Sequence, residues 1–332
     1  MILQYVVFTF CAFCAFLPAL WNAKLIPLGR LYHNSGIIMI EFLQQAITGM
    51  MIGSLYALVA AAIVLVYKST HVVSLAHGQL VAFGALFFWL FIGGLGLPFW
   101  VGIVPAFVLT ALIGLLIERL TLRPLIGQPL IAAFLMTFAI FLVLEGVFVL
   151  YLKGETRTLP AFLPEGNLDI SGISIPINQL IGFLVALFLF AALSLIFKYT
   201  KVGLGMRATA EDHRLAQGTG ITVRNIFSYI WILSAIVAVV AGIATANVMD
   251  IYYMLPYIGI SGLIVAICGG LDSLLGALVV GLLLGVVENV GAAYIDPLVG
   301  GGIKDVAAYV VLLLVLLIRP YGLFGLVKIE RI

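Results

Sequence analysis

The sequence predicts an all-α, polytopic integral membrane protein with about eight to ten transmembrane helices. Three observations carry that prediction. Of 332 residues, 64% are apolar and 9% charged, against roughly 45–50% and 25% in soluble domains. A mean hydropathy of +1.27 with a net charge of only +2 excludes disorder, which combines low hydrophobicity with high charge. The apolar runs are also far longer than the roughly ten-residue strands of a membrane barrel. Helices, which pair their own backbone polar groups, are therefore the spanning element.

The candidate spans, in order, are Ile2–Leu20, Phe42–Tyr67, Ala76–Leu95, Phe99–Ile117, Leu130–Leu152, Ile177–Phe197, Ile226–Val248, Tyr253–Cys268, Leu274–Tyr294 and Asp305–Ile318. The first run has no basic residue before it and is followed by Lys24 and Arg30. It reads as a weak signal segment, an extra span, or sequence upstream of the real start. Met39-Ile-Glu-Phe-Leu-Gln-Gln looks like a natural N-terminus. The expected organisation is an extension over 1–38 followed by a single transmembrane domain over 39–332.

In the second run Gly49, Gly53 and Ala57 stand four apart, a spacing that Gly281 and Gly285 repeat. Small residues so spaced let helices approach closely. With 35 glycines in the chain, tight packing and broken helices around a pathway are both open readings. Alternation back from a cytoplasmic tail at Arg319, Lys328 and Arg331 places Lys68, Arg119, Arg123, Lys198, Lys201, Arg207, Arg214 and Arg224 inside. From Glu41 onward only Lys153, Arg157 and Lys304 fall outside, a clear positive-inside bias. Basic residues so placed orient spans and give no nucleic-acid signal. Cys11, Cys14 and Cys268 lie in apolar runs and read as small buried hydrophobes, with no metal site.

Catalytic motifs are missing. His33, His71, His77 and His213 are none of them followed by Glu, and the chain contains no Gly-Lys dipeptide. That removes the zincin helix and the Walker A loop, so ATP-driven transport would need a nucleotide site on another polypeptide.

The most informative soluble segment is 198–225. Met206–Gln217 reads as a helix of about 18 Å, with Gly218 and Gly220 as stops. It is either a solvated connector or a docking helix for a cytoplasmic partner, with Arg207, Glu211 and Asp212 as rim charges. Within spans, Ala76-His77-Gly78 is either a structural histidine site or an interrupted helix by a pathway. Glu145 and Glu288-Asn289 lie outward of centre in their spans, where an ionisable group must face the bundle or water. Pathway lining and helix pairing are both open, with a structural hydrogen bond favoured for Glu288. The outer loop Lys153–Ile175, with Glu155, Glu165 and Asp169, is the longest external connection and a candidate partner contact.

Ala208-Thr-Ala-Glu211-Asp212 followed by Gly220-Ile221 resembles the cytoplasmic loop of branched-chain amino-acid ABC transporter permeases of the LivH type. Tyr56-Ala-Leu-Val with Val66-Tyr67 and Ala76-His77-Gly78 resembles that family's first block, and Ile117-Glu118-Arg119 with Arg123-Pro124 its second. Gly269-Gly270-Leu-Asp-Ser-Leu-Leu-Gly276-Ala277, Gly285-Val-Val-Glu288, Lys304-Asp305 and Arg319-Pro320-Tyr-Gly322 with Gly325 resemble its C-terminal part. The resemblance runs in order from Met39 to the end. This chain departs at Ser74-Leu75, where the family carries Asn-Phe, and at Asp272, where a small neutral residue is usual; both bear on the substrate.

The resemblance implies an ABC importer permease in the bacterial cytoplasmic (inner) membrane, for branched-chain or related small amino acids or amides such as urea. Its implied partners are a second permease subunit, two cytoplasmic ATPases and an extracytoplasmic substrate-binding protein, in the lipid bilayer. No cofactor is expected on this chain, because ATP is bound by the partners. Arg207, Ala210, Glu211, Asp212, Arg214, Gly218 and Gly220 become the ATPase-coupling loop. An ion-coupled secondary transporter, resting on Glu145 and Glu288, and a polytopic membrane enzyme are the alternatives.

Overall fold

The computed structural model describes residues 35–125, 128–164, 166–170, 172–211, 213–218, 220 and 222–325. The first apolar run, Cys11, Cys14 and Asp212 lie outside them, and of Arg214 the backbone alone is described. Of the described residues, Leu43 to Gly325 belong to one compact unit. The helices are α1 Ser35–Thr70, α2 His77–Trp89, α3 Phe99–Ile117, α4 Leu130–Leu152, α5 Ile177–Tyr199, α6 Lys201–Glu211, α7 His213–Gly218, α8 Val223–Met249, α9 Ile258–Gly269, α10 Leu274–Val299 and α11 Ile303–Ile318. One hairpin, β1 Asn167–Ile170 against antiparallel β2 Ile173–Pro176, sits in the long outer loop.

Among the described residues, seven helices are long and apolar enough to cross a membrane, α2 and α3 being lengthened by π-helical turns at Leu90–Gly94 and Glu118–Leu122. Every expected run from Phe42 onward is a helix. Two are short. The Tyr253–Cys268 run is helical from a 3-10 turn at Leu255–Tyr257 onward, and the last run is a 16-residue helix.

A helix apolar on every side belongs in the core, and α1 occupies it: Ala57–Val66 is closed off from the surface all round. The small residues explain how neighbours come so near. A Cβ on Gly49 would stand 2.6 Å from the Gly285 carbonyl oxygen and 2.9 Å from Val286 Cα, and Gly53 faces Gly281 across the same seam. Tight packing is thus the role of this glycine set. Central α8 touches α2, α3, α5 and α6; there a Cβ on Gly84 would stand 2.8 Å from Val239 Cα, and one on Gly114 3.0 Å from Ala235 Cβ.

The C-terminal glycine blocks close one end of the bundle. Ser273 caps α10 by accepting from the Gly276 N–H at 3.0 Å. The chain after α11 folds back so that Leu323 N donates to Cys268 O at 2.8 Å and Phe324 N to Gly269 O at 3.2 Å. Gly270 is left-handed at φ +98°, and a Cβ there would stand 2.5 Å from Gly325 N, so both sequence blocks serve one turn-on-turn contact.

Candidate functional site

The expected coupling segment begins earlier than the sequence suggested. In place of one helix over Met206–Gln217, the structure has α6 from Lys201 to Glu211 and α7 from His213 to Gly218. Thr200 explains the early start: its Oγ1 accepts from Gly203 N at 3.0 Å, satisfying an open first-turn amide. Gly203 is needed because the new helix turns hard against α5, where a Cβ would stand 2.5 Å from Ile196 O.

Nor is α6 a wholly solvated rod. Gly203, Gly205, Met206 and Thr209 are buried. Arg207 donates from Nη1 to the Phe197 carbonyl at the end of α5, so this expected rim charge is tied to its own chain. His71, just past α1, donates from Nε2 to the Ala210 carbonyl at 3.1 Å, and Lys68 Nζ sits 4.6 Å from the Phe197 ring centroid. The helix is therefore fixed to the ends of α1 and α5. Glu211 is exposed, as are Gly218 at the end of α7 and Gly220 in a left-handed turn at φ +87°.

A second lock lies at the same end of the bundle. Glu118, 1% exposed, receives Arg123 Nε on Oε1 at 3.0 Å, with Arg123 Nη2 and the Ser228 hydroxyl on Oε2 at 3.2 and 3.0 Å. Arg123 Nη2 also reaches the Arg224 carbonyl at 3.4 Å. This cluster ties α3 to the start of α8, directly after the coupling segment. The sequence places Arg123 among the inside charges and Glu118 and Arg123 in the resemblance, but does not show their pairing. The five-residue spacing, bridged by a π turn, and the 110-residue gap to Ser228 gave no local signal.

Ala76, His77 and Gly78 start α2 after a non-helical stretch at 71–76. Thr137 of α4 serves that stretch: its Oγ1 lies 3.4 Å from Leu75 N and donates to Phe134 O at 2.9 Å. His77 is fully buried, 3.2 Å from Ser234 Oγ through Nε2, with its ring 5.1 Å from that of Trp231. A Cβ on Gly78 would stand 3.1 Å from Gly259 Cα, so α2 and the short α9 begin side by side. Ser74 and Ala76 of this irregular stretch are buried and its other residues half-buried, in line with irregular backbone being tolerated at membrane depth where protein covers it. Ser74 Oγ, at a departure from the family pattern, and both amide atoms of Gln79, which the sequence did not point to, are buried without a hydrogen-bond partner.

The two intramembrane glutamates part company. Glu288, 2% exposed, faces the Tyr56 hydroxyl of α1, and its Oε2 is buried without a hydrogen-bond partner. Asn289 Nδ2 donates to Gln45 O at 3.2 Å and Oε1 at 3.1 Å. These residues fasten α10 to α1 beside the glycine seam. Glu145 on α4 is partly exposed and accepts from the Tyr257 hydroxyl at 2.7 Å. Glu288→Gln, which keeps a hydrogen-bonding acceptor for Tyr56, is expected to hold near-normal folded yield. Glu288→Leu leaves the Tyr56 hydroxyl unpaired and is expected to cost about 1–3 kcal/mol. Thermal unfolding of the two purified variants checks this, and equal losses would assign the role to charge.

In the loop after α4, Arg157 and Ile251 exchange backbone hydrogen bonds at 2.9 Å, and the Arg157 guanidinium lies 5.1 Å from the Trp89 ring centroid and 2.6 Å from Glu155. The long loop is thereby held across the ends of α2 and α8. Among the described residues no group of three His, Cys, Asp or Glu side chains is placed to hold a metal ion.

Helices of spanning length around a buried first helix, with a short helix fixed across one end, define a multi-pass membrane transport subunit. Residues 45–319 match the family described as branched-chain amino acid transport system / permease component, and the chain belongs to that family. It is 30% identical over 308 residues to the high-affinity branched-chain amino acid transport system permease protein BraD of Pseudomonas aeruginosa, covering 88% of this chain and 98% of that one. It is 28% identical to LivH of Escherichia coli over the same shares. The probable LivH of Methanocaldococcus jannaschii is 31% identical over 82% of this chain and 89% of its own. Among solved structures, PsaBC from Streptococcus pneumoniae in complex with Fab aligns at a TM-score of 0.42 and 19% identity, over 84% of this chain and 92% of that one.

Proposed function

We propose that this chain is the permease subunit of an ATP-driven importer of branched-chain or closely related amino acids in the bacterial cytoplasmic membrane. It works with a second permease subunit, two cytoplasmic ATPases and an extracytoplasmic binding protein, and carries no nucleotide site or cofactor of its own. The observation that carries this reading is the family match over 45–319. The fixing of α6 to α1 and α5 supplies its mechanics.

A push on α6 cannot be absorbed by a loose linker. His71 passes it to the end of α1, Arg207 to the end of α5, and the Glu118–Arg123–Ser228 cluster holds the start of α8 to α3. ATP closes the two ATPases on each other, and the attached spans change the side to which the path opens. ATP must bind the two access states differently to drive that change. An ion-coupled carrier would instead pair its ionisable groups near the midplane; Glu145 and Glu288 have separate tyrosine partners.

A mild-detergent pull-down of the tagged chain, read by mass spectrometry, tests the assignment. Recovery of a second permease and two ATPases is expected. A chain that comes down alone and moves solute in liposomes without ATP would replace the reading with a secondary transporter.

A further inference from the structure

We propose that the α4 face carrying Phe138, Leu142 and Glu145 lines the water-accessible translocation path, and that Glu145, held by Tyr257, contacts the ammonium group of the amino acid in transit. The proposal rests on the importer reading for its cargo and on geometry alone for its path.

Glu145 stands about 10 Å short of the outer end of α4, well within the apolar thickness of a bilayer. It is not closed inside the bundle as Glu288 is. It sits at the edge of the α4 stripe that packs inward through Phe141 and Phe148, and is partly open to the outside of the chain. Its one hydrogen-bond or ion-pair partner among the described residues is the Tyr257 hydroxyl, and Tyr257 is itself 39% exposed. An ionisable group at that depth is tolerated facing water or protein, not lipid tails. In the proposed path the surface beside it faces water.

Tyr257 leaves one carboxylate oxygen of Glu145 for another donor, and immediately precedes α9, whose start lies against the start of α2. Gln79 is on the α2 stripe that meets α4: four residues on, the Phe83 ring lies 5.7 Å from that of Phe148. Its carboxamide is buried with neither atom paired, as is the Ser74 hydroxyl. An unpaired buried polar atom is costly, and that cost vanishes when water or a polar solute reaches it. One side of the α2–α4–α9 wedge thus offers a carboxylate, and its interior holds buried polar groups without partners. A zwitterionic amino acid, with an ammonium for Glu145, fits that chemistry.

Helix geometry supplies an internal control. At about 100° per residue, Phe138 lies about 20° and Leu142 about 60° round the axis from Glu145, whereas Val143 lies about 160° away. All three are exposed on the isolated chain. In the assembled importer in proteoliposomes, with Cys11 and Cys14 replaced and fully buried Cys268 retained as a silent background, Phe138→Cys and Leu142→Cys are expected to react with a charged, membrane-impermeant thiol reagent. The expected rate is at least about tenfold that of Val143→Cys, which reacts only with a lipid-soluble maleimide because it faces hydrocarbon. Equal resistance of Phe138→Cys, Leu142→Cys and Val143→Cys to the charged reagent overturns the path, whether the cause is lipid or a second subunit sealed against this face.

The ammonium contact is read separately. Glu145→Gln is expected to cut transport about tenfold while ATPase stimulation by the loaded binding protein persists, and Glu145→Asp to restore most of it. Wild-type transport by Glu145→Gln overturns the contact. A wild-type assembly that moves no branched-chain amino acid overturns the importer reading instead, and leaves the labelling contrast to stand or fall by itself.

Discussion

Arg123→Ala is expected to be among the most destabilising single substitutions in the chain, lowering stability by roughly 3 kcal/mol. Glu118 is 1% exposed and its two oxygens are served by Arg123 and Ser228. Removing the guanidinium leaves a buried carboxylate with the Ser228 hydroxyl alone, and it is the uncompensated charge, more than the lost attraction, that costs. Arg123 itself is 29% exposed, which places the figure at the low end for a buried pair. Glu118→Gln in the Arg123→Ala background removes the stranded charge and is expected to recover part of the loss, so the double-mutant cycle separates charge from packing. Ser228→Ala, which leaves the ion pair in place, is expected to cost about 1 kcal/mol. Thermal unfolding of Arg123→Ala, Glu118→Gln, the double variant and Ser228→Ala measures all of this. An Arg123→Ala protein as stable as wild type would mean that the pair contributes nothing.

That cluster also marks where sequence reasoning stops. Long apolar runs announce helices because a span must bury its backbone within itself, so every described helix of spanning length from α1 to α10 was readable, with ends off by at most seven residues, at the start of α1. The Gly49–Gly53–Ala57 and Gly281–Gly285 spacing was readable too, because close helix approach needs small residues at one repeat. What could not be read is which distant groups meet. Nothing in the local pattern brings His71 to Ala210 or Ser228 to Glu118. Arg207 is a case in point: on a helix taken as solvated it reads as a rim charge, but Thr200 starts α6 early enough to turn its guanidinium onto the Phe197 carbonyl. The two glutamates were equivalent by composition and depth, and only their surroundings separate a buried fastener from a partly open carboxylate.

Charge reversal at Glu211 and Asp212, both to Lys, is expected to reduce the ATPase recovered with the purified permease by at least about tenfold, which corresponds to about 1.4 kcal/mol of association. The buried face of α6, with Gly203, Gly205, Met206 and Thr209, holds the helix on the bundle, and Arg207 is engaged by Phe197. Exposed Glu211 remains as a charge α6 can present to a partner. A complementary charge across such a rim steers and orients association, whereas a like charge opposes it. Because Glu211 is exposed and has no hydrogen bond or ion pair among the described residues, the variant is expected to insert and unfold as wild type, and to lose partner at a salt concentration the wild type withstands. Arg207→Ala supplies the contrast, since it frees the end of α5 and is expected to lower transport with the ATPases still attached. Unchanged ATPase recovery from the Glu211→Lys, Asp212→Lys protein would remove α6 as the docking element and move the contact elsewhere on that end of the bundle.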